Sequence, residues 1–350
     1  MDWRRAGAVP AGGCRESTRR TRPALPLPAM MALAFVAAGC SGRLDAGWDR
    51  PHGRLPVDER NPIVLVNDGA NDNWQGEYAV LLANGGGPNL AGIIVNASTP
   101  WPDLDANVTG WRDLVAAARG SGLENIPDPI ASIGSPLVRP ASGDIAATQA
   151  NRSEGARFIV DASRRLSLPY RPLVVATGGG LTDVADAYLV DPTVADRVVV
   201  VASLGAVTGS GGGMGDPNGP EDPWADTIVA ERLRYVQVSA FYDQLSDVTD
   251  SSVSQLPANP LGARIAAKQP NLWEWQPASD QVAVLAVGLP GFVTALEKVA
   301  AAGPVEAGAT AGPDLVTDPN GPCWLVTQCA GTVATAAFWK LLLDARTYSH

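Results

Sequence analysis

After Pro62 the chain alternates between short apolar runs and segments with helical spacing, and this alternation is what most restricts its fold. The runs at 63–66, 92–95, 129–133, 173–176, 197–202 and 234–238 are rich in β-branched residues and are bounded by turn formers, which predicts buried strands. Between and after them, 74–84, 109–120, 154–166, 181–190, 223–232 and 281–289 carry apolar residues at the spacing of one helix face. Repeated βα units with uninterrupted apolar strands predict an α/β fold: an open, mostly parallel sheet with helices on both faces. With 350 residues, 46% of them hydrophobic and only 18% charged, the chain has the material for a sizeable core. No internal repeat is present.

The N-terminal segment reads differently. Arg15, Arg19, Arg20 and Arg22 precede a mostly apolar stretch at 24–38 that ends in Val36-Ala37-Ala38-Gly39-Cys40-Ser41. Basic residues, a short apolar stretch and small residues before a cleavage point make up a secretory signal. A stretch of about 15 residues falls short of the roughly 20 that a spanning helix needs. The Ala-Ala-Gly-Cys ending resembles the bacterial lipoprotein box, in which the cysteine is lipidated and becomes the first residue. The expected organisation is a signal peptide at 1–39, a tether at 40–60 rich in Arg, Asp, Gly and Pro, and one domain at 61–350. The expected location is beyond the cytoplasmic membrane, held to it by lipid on Cys40. Cys14 falls in the signal, which leaves Cys323 and Cys329 as the cysteines of the domain, and an isolated pair in a secreted chain predicts a disulfide.

The first strand runs directly into Asn67-Asp68-Gly69-Ala70-Asn71-Asp72-Asn73. In open α/β sheets ligands bind at the carboxyl ends of strands, so this loop is a natural site. Asp68, Asp72 and Asn73 offer hard oxygen donors, which suit Ca²⁺ or Mg²⁺ better than zinc. A polar turn followed by a helix cap uses the same residue types. Several other chemistries are excluded. Net charge is −10, and no basic cluster follows Arg22 except the pair Arg164-Arg165, so nucleic acid is not a partner. The two histidines are His52, before the domain, and His350, which removes a histidine triad or a histidine zinc site. Gly178-Gly179-Gly180 opens a helix after a strand, but Asp183 stands where a dinucleotide motif needs its third glycine. The glycine-rich stretch 208–220 reads as a surface loop, with a lid over the site also compatible.

Six segments, in order, resemble the inosine–uridine-preferring nucleoside hydrolases and the wider nucleoside-hydrolase-like superfamily, as a divergent lipoprotein member. Asp68-Gly69-Ala70-Asn71-Asp72-Asn73 is similar to the family's D-x-x-x-D-D. PIASIGSPLVRP at 129–140 is similar to a strand followed by G-x-x-x-P-L, and LVVATGGGLTDVADAYLVD at 173–191 to T-G-x-L-T-N-x-A with its following D-P. The strand ending in Ser203-Leu204-Gly205 takes the place of the one leading to M-G-G, Asp222-Pro223-Trp224-Ala225-Asp226 that of N-x-W-x-D, and Ser279-Asp280-Gln281-Val282-Ala283 that of H-D-P-x-A. The resemblance spans about 63–290.

The resemblance implies a Ca²⁺ site made of Asp68, Asp72, Asn73, Asp280 and the backbone carbonyl of Thr177, with Asp68 as the catalytic base. It implies a metal-dependent hydrolase that cleaves the N-glycosidic bond of a nucleoside or related riboside. It also marks departures: Asn73 stands for a carboxylate, Ser279 for a histidine that helps the leaving base, Asp222 for an asparagine that meets the sugar, and Asp183 for the asparagine of T-N. These departures carry an alternative expectation, a degenerate surface lipoprotein that binds a sugar or nucleoside without cleaving it. Asp222 and Ser279 are the expected substrate contacts, together with Trp273 and Trp275 at the pocket rim, although ordinary packing would also use two such tryptophans. The partners expected are a small nucleoside or riboside and, through the anchor, a membrane; the sequence does not specify an oligomeric state.

Overall fold

The apolar runs become strands because each is buried on both sides. In the computed structural model, which describes residues 55–69, 75–84, 89–132, 135–203, 218–238, 252–267 and 281–348, the first strand β1 (Pro62–Asn67) is buried along its whole length. Ile63 and Leu65 face one apolar cluster and Val64 and Val66 the other, the period-2 alternation of an extended chain. The remaining strands are β2 (Asn89–Val95), β3 (Pro129–Ala131), β4 (Leu173–Thr177), β5 (Val198–Ser203), β6 (Arg234–Val238), β7 (Val293–Ala301), β8 (Leu315–Thr317) and β9 (Cys323–Cys329). They form one nine-stranded sheet in the order β3-β2-β1-β4-β5-β6-β9-β7-β8. Every pairing from β3 to β9 is parallel, and only the last two, β9 with β7 and β7 with β8, are antiparallel. The expected α/β architecture is therefore the observed one.

Helices cover both faces. On one side lie α1 (Gln75–Asn84), α2 (Leu104–Gly120), α6 (Pro260–Ala267), α7 (Gln281–Gly288) and α8 (Gly331–Leu343), with Tyr78, Trp111, Leu114, Leu261, Leu285 and Phe338 in a common core. On the other lie α3 (Glu154–Leu166), α4 (Thr182–Val190) and α5 (Pro223–Arg232), burying Ile159, Val160, Val184, Trp224 and Ile228. None of the described helices is long and apolar enough to cross a membrane. The helix expected at 109–120 begins earlier, at Leu104, because Asp103 caps it by accepting from the Ala106 N–H. Within the stretch read as a tether, Val57 is buried against the first core. The proposed signal and Cys40 lie outside the described residues.

The expected Cys323–Cys329 disulfide does not form. The two cysteines are the first and last residues of β9, and six residues of extended chain separate their Cα atoms by about 20 Å. A disulfide requires about 6 Å. They also face different cores: Cys323 is buried in the α3–α5 side, where its thiol meets the Ala230 carbonyl, while Cys329 packs on the opposite side. Both are free thiols, and burial pushes each up to about 12.

Candidate functional site

The sheet winds outward in two directions, β1-β2-β3 one way and β4-β5-β6 the other, so a crevice opens at the carboxyl ends of β1 and β4. Val66 and Thr177 are register partners across that boundary, and the Gly178 N–H donates to the Val66 carbonyl at 3.0 Å just beyond it. The chain leaves β1 through Asn67 and Asp68. Asn67 Oδ1 accepts from the Asp68 N–H at 2.7 Å, its own carbonyl takes the Asn96 N–H at 2.9 Å, and the Trp111 indole N–H holds the Asp68 carbonyl at 3.2 Å. The backbone of Asp68 is thus fixed from β2 and α2 before its side chain is considered.

Asp68 is only 5% exposed. Its Oδ2 accepts from the Ser98 hydroxyl, in the loop after β2. Burial raises its pKa, against the pull of the Ser98 hydroxyl and of nearby backbone N–H groups, and the negative charge of Glu221 adds to the rise. Glu221 is itself held in place by Thr99, whose N–H lies 3.0 Å from both carboxylate oxygens and whose hydroxyl lies 3.1 Å from one of them. No ion pair among the described residues neutralises Asp68 or Glu221. A carboxyl with a raised pKa at a strand end is a competent proton acceptor for a bound water.

Thr177, wholly buried, ends β4. Its hydroxyl donates to the Gly179 carbonyl at 2.8 Å and folds the glycine turn back on itself, while its carbonyl accepts from the Ser203 hydroxyl at 3.1 Å. A Cβ on Gly179 would lie 3.3 Å from Asn96 Oδ1 and 3.5 Å from the Asp68 nitrogen, so the turn packs directly on the strand ends. Asn218 Nδ2 ties the Gly178 carbonyl to the segment before α5 at 3.0 Å.

Asp222 is in the same region but already engaged. Its Oδ1 accepts from the Ala225 N–H at 3.0 Å and caps α5; its Oδ2 accepts from the Leu137 N–H and the Thr182 hydroxyl, each at 2.8 Å. It joins three segments, and an incoming hydroxyl would meet only its remaining lone-pair capacity. Burial raises its pKa despite these donors.

Of the sequence-predicted site, the structure brings Asp68 and Thr177 to adjoining strand ends, with Asp222 bonded to Thr182 at the start of the helix that follows the glycine turn. Asp72, Asn73, Asp280, Ser279, Trp273 and Trp275 lie outside the described residues. Among the described residues, no group of three or more His, Cys, Asp or Glu side chains converges on a metal position. The donor chemistry nevertheless fits a hard cation: a buried carboxylate, a second carboxylate whose charge acts on it, backbone carbonyls, and, among the described residues, no lysine or arginine paired with either acid. Sequence reasoning missed Asn96, Ser98, Trp101, Ser203 and Glu221. Asn96 directly follows β2 and Ser203 ends β5, positions that could have singled these two out; Ser98, Trp101 and Glu221 have no such local mark.

No protein-family profile matches the sequence, and no curated protein does. Solved structures do. An inosine–guanosine nucleoside hydrolase aligns over 80% of this chain and 98% of its own, with a TM-score of 0.59 at 15% identity. A purine-preferring ribonucleoside hydrolase from Gardnerella vaginalis aligns over 82% and 100%, with a TM-score of 0.56 at 17% identity. An inosine–uridine preferring nucleoside hydrolase from Bacillus anthracis aligns over 81% and 99%, with a TM-score of 0.55 at 14% identity. The chain has the nucleoside hydrolase fold across essentially the full length of these enzymes.

Proposed function

We propose that this protein is an N-glycoside hydrolase that cleaves a nucleoside or related riboside, with Asp68 as general base. The observation that carries the reading is the buried Asp68 carboxyl at the β1–β4 crevice of a fold shared with nucleoside hydrolases. In the reaction, Asp68 takes a proton from a bound water as the water oxygen bonds to the anomeric carbon. The carbon–nitrogen bond breaks through an oxocarbenium-like state, and the base leaves with a proton taken from solvent or a neighbouring donor. Trp111 and Asn67 hold the Asp68 backbone during the step, and Ser98 orients its carboxyl.

The cation is assigned to Asp68, Asp72, Asn73, Asp280 and the Thr177 carbonyl, with Ca²⁺ favoured by an all-oxygen set. When bound, such an ion supplies Lewis-acid polarisation of water and a grip on vicinal sugar hydroxyls. The domain has no histidine besides the last residue, so the substrate is one whose base leaves without histidine assistance. Ser279, Asp222, Trp273 and Trp275 are proposed around the substrate. The basic–apolar–Ala-Ala-Gly-Cys order at the N-terminus supports a reading of export, a lipid anchor on Cys40 and a reaction outside the cytoplasm.

The test is a panel of purine and pyrimidine nucleosides with millimolar Ca²⁺, scored for free base and reducing sugar. Release that is lost in Asp68→Asn supports hydrolysis. Saturable binding without release across the panel gives the binding-lipoprotein reading, and neither binding nor release overturns both.

A further inference from the structure

Asp183 and Asp186 lie one turn apart on α4, and both are fully buried. They share one hydroxyl: Ser153 Oγ is 2.7 Å from Asp183 Oδ1 and 3.0 Å from Asp186 Oδ2. As the cap of α3, the same oxygen also accepts from the Ala156 N–H at 3.1 Å. A hydroxyl has one proton and two lone pairs. If both acids were ionised, Ser153 could donate to one of them and would turn a lone pair toward the other. A proton on Asp183 Oδ1, donated to Ser153, with Ser153 donating in turn to Asp186, gives the two contacts of the Ser153 hydroxyl with the acids matching donors and acceptors.

The other donors show which acid is the neutral one. Asp186 accepts two backbone N–H groups, from Arg152 at 3.0 Å and Ser153 at 2.8 Å. Arg152 adopts a left-handed φ of 58°, a conformation costly for a side chain-bearing residue, and the turn it makes presents these consecutive N–H groups to Asp186. That arrangement suits an anion. Among the described residues Asp183 has no backbone donor: Ser132 Oγ lies 2.7 Å from Oδ1, and the Asn96 side chain, just past β2, faces the carboxyl. Of the groups turned toward Asp183 from β2, β3 and α3 — Asn96, Ser132, Ser153 and Gly155 — none is charged, and Asp186 on its own helix is a like charge.

We propose that Asp183 is a neutral carboxylic acid at neutral pH and acts as a positioning residue, locking Asn96, Ser132 and the start of α3 around the strand ends beside Asp68. Burial, and the nearby charge of Asp186, push its pKa upward in agreement. The site is also closely packed: a Cβ on Gly155 would come within 2.8 Å of the Asp183 carboxyl carbon. Asp183 sits in the first turn of α4, directly after the Gly178-Gly179-Gly180 turn, and a Cβ on Gly179 in that turn would lie 3.3 Å from Asn96 Oδ1.

The test uses no substrate, so it stands or falls apart from the hydrolase reading. Infrared spectra of protein labelled with ¹³C-aspartate should contain a protonated-carboxyl band at neutral pH that is missing in Asp183→Asn. The amide still donates toward Ser153 and keeps an oxygen toward Asn96, giving up only the acceptor that Ser132 uses, so this variant should melt within about 5 °C of wild type, while Asp183→Ala loses considerably more. Wild-type stability should fall as pH rises from the ordinary carboxylate range to the raised pKa of Asp183, and the difference from Asp183→Asn should isolate that slope. A wild-type spectrum without any protonated aspartate at neutral pH overturns the proposal, whichever variants fold. So does an Asp183→Asn variant that is no more stable than Asp183→Ala.

Discussion

The indole of Trp101 occupies the space in which a side chain at Gly69 would begin: its Cδ2 lies 2.6 Å from the position a Cβ would take. Gly69 follows Asp68 directly, so the ring borders the candidate base. Gly69→Ala must displace the indole and should cost roughly 1–3 kcal/mol of stability, as overpacking of a filled site does. Trp101→Ala in the same chain should recover much of that loss. A double-mutant cycle by chemical denaturation checks the coupling; additive effects would show that the contact is not made.

Asp68→Asn should leave the melting transition essentially intact while lowering turnover by about 10²–10⁴-fold, the range for loss of a general base. Ser98→Ala should cost less, because the hydroxyl orients the carboxyl without replacing it. Steady-state kinetics on the best nucleoside of the panel, with circular dichroism as the folding control, separates the two. Equal losses in both variants would assign the proton transfer elsewhere.

Asp191 provides the opposite pH dependence to Asp183. Burial works to raise its pKa, but the Thr193 hydroxyl, Arg197, the Thr193 N–H and Arg164 together outweigh it and hold the carboxyl at about 2. Arg164 and Arg197 lie 2.9 and 2.8 Å from its Oδ2. A lowered folded-state pKa means that the contribution is present above the ordinary carboxylate range and is lost as pH falls from about 4 toward 2. Asp191→Asn should destabilise by about 2 kcal/mol at neutral pH, with the gap closing under acid. Urea melts at neutral and acid pH measure it; a gap that does not narrow would count against the ion-pair account.

The two thiols of β9 should be alkylated slowly in the folded protein and fully after denaturation, since burial pushes both up to about 12. Both fall in a single tryptic peptide, 299–340, which contains no other cysteine. Mass spectrometry of that peptide from denatured, unreduced protein should show two added alkyl groups. A peptide two hydrogens lighter and unmodified would restore the disulfide.

Six strands were legible in the sequence because a strand buried on both faces needs no polar side: Val198-Val199-Val200-Val201 admits few other readings. The antiparallel end was not legible. In β7 most residues are only half-buried, and Glu297 and Lys298 interrupt the run, so neither period stands out. Counting cysteines paired Cys323 with Cys329 because such counting ignores the strand that separates them. In the site, Asp68 was visible as the acid after a strand. Ser98 and Glu221 were not, because their closeness to it arises from the sheet order and no local pattern records that order.

The adjacency of β1 and β4 also has a consequence in time. Asn61 Nδ2 reaches the Pro172 carbonyl at 2.7 Å across 111 residues of sequence, and every contact along that boundary has a comparable span. While the chain is being synthesised, β1 is an open edge, apolar on both faces, until β4 arrives to cover it. Asp68 therefore exists long before its crevice does, and the interval exposes a strand well suited to pairing with another chain. A truncated protein ending after α3 would keep that edge uncovered, and it should aggregate rather than retain a partial site.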